Sequence, residues 1–574
     1  MTESNTPNLI VPPKRHDHDP DLPSRKVMGD ADGRILDPRN AASVAGVSPR
    51  STAYVGHRLT ISLQTDRDKV MPILEEAADQ LGWELAEDTP GDGRGRAKKA
   101  RQTAYLHDES GPLGVATVSI GVKKGTVAQT PDGWTLLQRA RANHSLEDLA
   151  GVALDHVLVA SHSETPTAMR ITPNPVGRGN PVGRGNPVGR GNPVGRGNPV
   201  GRGNPVGRGN PVGRGNPVGR GNPADEAATS YAVASYGLAG SGGRQPVAFL
   251  GPAPHRRADR DIKGRRPVVA ILDTGCGSHP WLDGIVKTEV RLDGKPIGDI
   301  DAATDGERNP DQTGPLDGGL DDLAGHGTFI AGLVHQACPD ADIVSWRLIS
   351  SAGVIVESTW LTALTQIAEL ARRHASGEPG GHPIDVLNLS FGYYHETPED
   401  LLFDSTLQKI LDVLSSSGTT VVCSVGNDAT ARPFYPAALA PHDGGLNATR
   451  KKLPIVSVGA LNPDNTTVAL FSNSGSWVRT YAPGASVMST TPPFQGGLEP
   501  IARTSAEGEE RASIDPDDFT SGFALWSGTS FAAPYVAGRI AQVLAKDLPP
   551  KADDARSAVR RGWRAVREVT GITP

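Results

Sequence analysis

The sequence predicts an α/β fold for its C-terminal half, a doubly wound, mostly parallel sheet with helices on both faces, preceded by a small N-terminal α+β domain. Three observations carry that expectation. Beyond about residue 245 the chain holds short, branched, largely apolar runs at 267–272, 343–348, 386–389, 420–425 and 455–458. Helical periods lie between some of them, one through Trp360, Leu364, Ile367 and Ala371, another through Leu407, Ile410, Leu411 and Leu414. Apolar strands alternating with helices imply a parallel sheet covered on both sides, and such sheets collect reactive groups at the carboxyl ends of their strands. Third, residues 52–161 show the order strand-helix-strand-strand-helix-strand, which suits a compact α+β unit.

Taken from the N-terminus, residues 1–51 are polar and proline-rich and are expected to lack fixed structure. Residues 58–63 alternate like a strand. Residues 66–81 follow a helical period through Val70, Ile73, Leu74, Ala77 and Leu81, and Gly82 suits the stop. Strands are expected at 103–106, 115–120 and 157–160, and a helix at 134–142. The hexapeptide NPVGRG then occurs eight times over 174–221, within a segment, 162–245, read as a disordered linker. Each unit carries one Pro, two Gly and a single apolar side chain. That cannot bury enough surface to offset chain entropy, and six residues are too few for a solenoid repeat. The repeat has eight Arg and no acid, so it reads as a spacer or as a basic tether for an anionic partner. Residues 246–574 form the second domain, closing on a short basic helix at 560–569.

Composition narrows the function. A chain of 574 residues, 37% hydrophobic and 21% charged, has material for a sizeable core, while 68 Gly and 48 Pro demand loop. No run reaches the ~18 apolar residues of a membrane span, and the N-terminus lacks the apolar core of a secretory signal. Three cysteines are no disulfide framework and fit reduced thiols, so a cytoplasmic location is expected, with no membrane partner. A net charge of −6 argues against a strongly basic nucleic-acid binder.

Three segments carry chemistry. ILDTG ends the first strand of the second domain and puts Asp273 at its tip. AGHGT at 324–328 centres on His326. SGTSFAAP at 527–534 places Ser530 at the start of a helical pattern, with Pro534 expected in its first turn. A serine hydroxyl is a poor nucleophile at neutral pH. It needs a neutral imidazole to take its proton and a buried carboxylate to hold that imidazole. Gly325 and Gly327 let backbone crowd the imidazole. A fourth segment, SVGND at 424–428, follows another apolar strand and offers the amide of Asn427 to a developing oxyanion.

DTG, GHGT and GTSFAAP in the order Asp, His, Ser resemble the subtilisin-like serine proteases (subtilases), over about 265–548. The resemblance implies a subtilisin-like fold and a serine endopeptidase in which Asp273 orients His326. His326 would be general base and then acid, Ser530 the nucleophile, and Asn427 with the Ser530 backbone N–H the oxyanion donors. LNLSFG at 387–392, with Ser390, Phe391 and Gly392, resembles the family strand lining the S1 pocket. Ser351, Ala352 and Gly353 resemble the strand that pairs with extended substrate. Residues 52–161 resemble a subtilase prodomain whose strand at 157–160 leads toward the cleft; the long Arg-Gly linker departs from that pattern and leaves a recognition domain as the competing reading.

The partner implied is a protein or peptide substrate, in an intracellular processing role. The chemistry needs no cofactor, and no metal site is expected. The acids at 293–322 lack an EF-hand pattern and read as a solvated loop rather than a calcium site. Cys276 and Cys423, near the reactive groups, read as inert thiols, and His279 and His335 as structural. The connection at 491–525 reads as a surface insertion. Two other classes compete: a catalytically silent peptide-binding module on a protease fold, and a scaffold in which the repeat is the working part. Because His326 must be neutral to act, activity is expected to rise from acid toward alkaline pH.

Overall fold

The computed structural model describes residues 31–41, 49–87, 105–160, 243–313, 318–397, 405–442, 448–551 and 554–574, with a few isolated positions between them. The NPVGRG repeats and most of the expected linker lie outside the described residues.

The N-terminal part is β1 (Gly33–Leu36), β2 (Thr52–Ser62), α1 (Arg67–Gln80), β3 (Trp83–Glu87), β4 (Val115–Val122), α2 (Gly133–Asn143) and β5 (Val152–Ala160). The two helices begin where aspartates supply the missing acceptors: Asp66 takes the Asp68 N–H and Asp132 the Thr135 N–H. The strands run antiparallel in the order β5-β2-β4-β3, with β1 on the near end of β2. Leu59, Leu74, Val118, Trp134, Leu137 and Leu154 pack between sheet and helices.

Three differences from the expected elements stand out here. β1 falls in a region expected to be unstructured; only Leu36 of its four residues is buried, too little to show a period. β3 is a strand that the pattern hid. Its sequence, WELAE, favours helix, but Gly82 at φ +73° ends α1 and turns the chain so that Trp83 is buried beside β4. Of the strand expected at 103–106, residues 103 and 104 lie outside the described residues; the strand present is the short Leu106–Asp108, which among the described residues pairs with Gly111–Leu113.

The second part contains β6 (Val268–Asp273), α3 (His326–Ala337), β7 (Asp342–Arg347), β8 (Val354–Val356), α4 (Glu357–Ser376), β9 (Val386–Leu389), β10 (Phe391–Gly392), α5 (Ser405–Ser416), β11 (Thr420–Ser424), β12 (Ile455–Leu461), β13 (Thr480–Pro483), α6 (Thr529–Leu544) and α7 (Ala555–Thr570). With Val286–Lys287 at one edge, the strands order as β7-β6-β9-β11-β12-β13, and every pairing is parallel. β6, β9 and β11 are buried along their whole length. That is why they read as unbroken apolar runs rather than alternating ones. α3 packs with α6, and α4 with α5, giving the two helical layers of the α/β fold. α7 carries Val559, Trp563 and Val566 on its buried side. The connection at 491–525 holds an exposed hairpin, Arg503–Ala506 with Glu509–Ala512.

β8 and β10 do not join the parallel sheet. They pair antiparallel with the end of β5: Val157, Leu158 and Val159 lie opposite Val356, Ile355 and Val354, and Val159 and Ala160 lie opposite Gly392 and Phe391. The last strand of the N-terminal sheet therefore runs between two strands of the second part, and Leu158 and Ala160 are buried in its core.

Candidate active site

The site is built on strand ends and helix starts. β6 ends on Asp273, fully buried. His326 opens α3 through Gly325, which sits in the left-handed region at φ +84°. At Gly327 a Cβ would lie 2.0 Å from the carbonyl oxygen of Gly275, so only glycine lets this turn approach the loop after β6. The approach brings His326 Nδ1 to 2.7 Å from Asp273 Oδ1. The Thr274 N–H donates to the same oxygen at 2.8 Å, which orients the carboxylate. A carboxylate only accepts, so Nδ1 carries the proton and Nε2 is left as the base.

Ser530 is the second residue of α6, where backbone N–H groups have no partner within the helix. Phe531 and Trp526 pack on the His326 ring at centroid distances of 5.2 and 5.5 Å, which sets Ser530 beside the imidazole. Its hydroxyl donates not to His326 but to the backbone oxygen of Ser390, at 3.0 Å. The exchange is mutual, since Ser390 Oγ donates to the Ser530 carbonyl at 3.0 Å. Pro534 explains the second bond. It lies in the second turn of α6, not the first as expected, and there it lacks the N–H that would bond the Ser530 carbonyl.

Asn427 follows β11. Its Oδ1 accepts both the Thr529 N–H and the Thr529 hydroxyl at 2.9 Å, which fixes the amide with Nδ2 as its donor end and ties it to the residue that precedes Ser530. The structure thus joins Asp273 to His326 directly, Asn427 to Ser530 through Thr529, and Ser390 to Ser530.

The expected substrate-binding segments divide. Phe391 and Gly392 are a strand, as read. Ser351, Ala352 and Gly353 are not: Gly353 at φ +82° makes a turn, bonding its N–H to the Ser350 carbonyl, and the strand begins one residue later at Val354. Ser351 instead gives its hydroxyl to Asp321 at 2.6 Å. The Gly353 carbonyl accepts the Ala160 N–H at 2.9 Å. The strand between β8 and β10 is β5 of the same chain.

Glu307 is a residue the sequence reading missed. It is buried, with Oε1 accepting from Thr274 Oγ1 at 2.5 Å and from the Gly327 N–H at 3.1 Å, and Oε2 accepting from Thr328 Oγ1 at 2.5 Å. Burial pushes its pKa up. It is the lone Glu in an Asp-rich stretch, and that was the one signal within reach. Arg244 was missed too. It is buried over the Trp526 ring at 4.9 Å and bonds the Ala324 and Asp321 carbonyls, fixing the segment that leads into His326.

Among the described residues one group, His156, His395 and Glu396, brings ligating atoms within 4.8 Å of one another. It does not fit a metal. Both ring nitrogens of His156 already meet carboxylates, and His395 Nδ1 takes the Thr397 N–H. In the acidic stretch Asp299, Asp301 and Asp305 accept local backbone N–H groups, as a solvated loop does. Burial pushes the thiols of Cys276 and Cys423 up, away from the reactive thiolate. His279 packs edge-on to Phe523 and Trp281, and His335 is buried, its pKa pushed down to about 4 by burial.

The family profile described as the subtilase family matches residues 264–561. Serine protease AprX of Bacillus subtilis (strain 168) is 23% identical over 323 residues, covering 53% of this chain and 63% of that protein. An intracellular serine protease of Paenibacillus polymyxa is 26% identical over 296 residues, covering 49% of this chain and 67% of that protein. The chain therefore spans about two thirds of these relatives. Among solved structures, fervidolysin from Fervidobacterium pennivorans, a keratinolytic enzyme related to subtilisin, aligns with a TM-score of 0.40 at 16% identity, covering 88% of this chain and 56% of that one.

Proposed function

The chain belongs to the subtilase family of serine-type endopeptidases, and from that premise we propose that it hydrolyses peptide bonds through an acyl-enzyme, with Asp273, His326 and Ser530 as the triad and Asn427 as an oxyanion donor. The observation that carries the proposal is the buried 2.7 Å bond from Asp273 to His326 beside the helix start that bears Ser530. Once the Ser530 hydroxyl turns from Ser390, His326 Nε2 takes its proton as Oγ attacks the substrate carbonyl. Asp273 holds the imidazolium that forms. The oxyanion falls to Asn427 Nδ2 and the Ser530 N–H. His326 then returns the proton to the leaving amine, and water repeats the sequence on the acyl-enzyme. No cofactor enters any step.

A fluorophosphonate probe tests this. The wild-type protein is expected to form an adduct at Ser530 and Ser530→Ala none, with peptide hydrolysis falling by at least about 10³-fold. No adduct on the folded wild type would favour the silent peptide-binding module, for which the bond from Ser530 to Ser390 is the supporting observation.

A second reading concerns the N-terminal part. β5 occupies the place between β8 and β10 where substrate is expected to pair, which supports an inhibitory prodomain cut from the chain just beyond Ala160. Mass spectrometry of wild type and Ser530→Ala prepared side by side decides it: both staying full length while the wild type is active would end the prodomain reading. An intracellular processing role is supported by the name of the P. polymyxa relative and by three cysteines without disulfides; among the described residues no helix is long and apolar enough to cross a membrane. Cell fractionation tests it, and recovery of the protein in the medium would count against it.

A further inference from the structure

Four residues before Ala160, β5 carries His156, 1% exposed. Its Nδ1 lies 2.6 Å from Glu357 Oε2 and its Nε2 2.7 Å from Glu396 Oε2. Glu357 opens α4 directly after Val356, the last residue of β8 to pair with β5. Glu396 comes four residues after Gly392 of β10. Each wall of the cleft thus supplies one carboxylate, and the N-terminal sheet supplies the ring between them. Tyr393 stacks on that ring at 4.5 Å and 26°. Neither carboxylate can donate, so both nitrogens of His156 must carry protons, and the ring is an imidazolium. Two buried carboxylates facing one space without a cation would leave uncompensated charge out of water, which is strongly unfavourable.

We propose that Glu357 and Glu396 form a cation socket at the outer end of the cleft, which holds a strand firmly only when the side chain entering it is a planar cation, here His156. The proposal rests on the reading that β5 stands in the place of substrate, and it names what that place selects. The N-terminal part is gripped through a proton, and protein substrates entering along β8 and β10 are read for an imidazolium or guanidinium at the same position.

Other titratable groups flank this arrangement. On β5 itself Asp155 turns to the first turn of α4, accepting the Ser358 N–H and hydroxyl at 2.9 Å, with Arg58 of β2 at 3.3 Å; burial pushes its pKa up to about 6. Tyr54, opposite His156 on β2, gives its hydroxyl to Asp132. His395, at 5.1 Å from the His156 ring, takes the Thr397 N–H on Nδ1 and gives its carbonyl to Arg432; the same Nδ1 lies 3.5 Å from Glu396 Oε2, so Glu396 faces two imidazoles, of which His156 is the nearer at 2.7 Å. Burial alone pushes the pKa of His156 down, but Glu357 and Glu396 outweigh it and hold it well above the ordinary value. The sign follows. The grip is fully present below the ordinary imidazole value of ~6.5 and is lost as pH rises through the raised one.

The test uses the full chain with Ser530→Ala, so that nothing is cut. Amide exchange at Ala160 and at 354–356 is measured against amides of β6 and β9 in the same molecule. Protection at the first set is expected to hold near neutral pH and to fall selectively, relative to β6 and β9, as pH is raised well beyond the ordinary imidazole range. His156→Gln should lose about tenfold in that protection near pH 6.5 and show no pH dependence of its own. The double change Glu357→Gln with Glu396→Gln keeps His156 and should likewise flatten the profile, which decides the matter should His156→Gln fail to fold. Parent-like protection in His156→Gln, or a parent profile with no selective loss on the alkaline side, would overturn the socket. Fluorophosphonate labelling of the wild type reports separately on the endopeptidase assignment.

Discussion

Behind the Asp273–His326 bond stands a second carboxylate, and its role can be read from donors and acceptors alone. The Thr274 hydroxyl accepts the Gly327 N–H at 2.8 Å, and the Thr328 hydroxyl accepts the Gly277 N–H at 2.7 Å. Each has one proton left, and each faces Glu307 at 2.5 Å. Glu307 therefore works as an acceptor that ties the loop after Asp273 to the first turn of the His326 helix. Glu307→Gln puts an amide donor where only acceptors are wanted. The expected result is a loss of about 1–3 kcal/mol in stability, read as a drop in Tm, with kcat reduced more than KM is raised because substrate does not touch Glu307. Asn427→Ala also leaves buried donors unpaired, the Thr529 N–H and hydroxyl, so Tm should fall, and kcat should drop about 10²–10³-fold, a magnitude measured on a subtilisin. Equal losses in kcat and in substrate affinity would deny Asn427 the oxyanion role.

At the scale of elements, α6 and the segment after β9 are coupled through a missing donor. Pro534 leaves the Ser530 carbonyl without a helical partner, and Ser390 supplies one. Ser390→Ala should cost about 1 kcal/mol or more in the parent, but less when combined with Pro534→Ala, which restores the helical N–H. A double-mutant cycle by denaturant unfolding measures the difference, and strict additivity would show that the two do not share that carbonyl. Such couplings mark where the sequence stops being legible. The strand at 386–389 was readable residue for residue, because a strand buried on both faces shows as an unbroken apolar run. Asp273, His326, Asn427 and Ser530 were readable because each lies at the end of such a run or the start of a helix. Ser351 to Gly353 was misplaced by a single left-handed glycine, which no period shows. His156 was out of reach for another reason: its partners lie 201 and 240 residues away in sequence, and only the pairing of β5 with β8 and β10 brings them together. Glu307 meets partners 20 to 33 residues away, but they come from the loop after β6 and the first turn of α3, which no period along the chain connects.

For the whole molecule, the question is what joins the N-terminal sheet to the rest. Its own core closes around Leu59, Leu74 and Trp134, but a smaller cluster of Met28, Ala53, Val55, Val157 and Val354 straddles the junction, and Leu158 belongs wholly to the larger core. Polar bonds flank this seam: the Thr52 hydroxyl to the Tyr394 carbonyl at 2.5 Å, the Arg50 N–H to the Glu396 carbonyl at 2.8 Å and the Thr406 hydroxyl to Ser62 at 3.0 Å. Leu158 is the side chain on which the seam depends most in apolar terms, since it is fully buried against residues of the other part. Replacing it by Ala removes about 2–5 kcal/mol of packing. The N-terminal core is left intact, so that loss falls on the larger core where β5 enters it. If β5 is what keeps substrate out, Leu158→Ala in the full chain should hydrolyse a short peptide faster at first than the parent does. Its thermal unfolding should also separate into two transitions where the parent shows closer coupling. An unchanged initial rate together with an unchanged melting profile would mean that the strand in the cleft does not restrain the enzyme, and that the N-terminal part serves recognition instead.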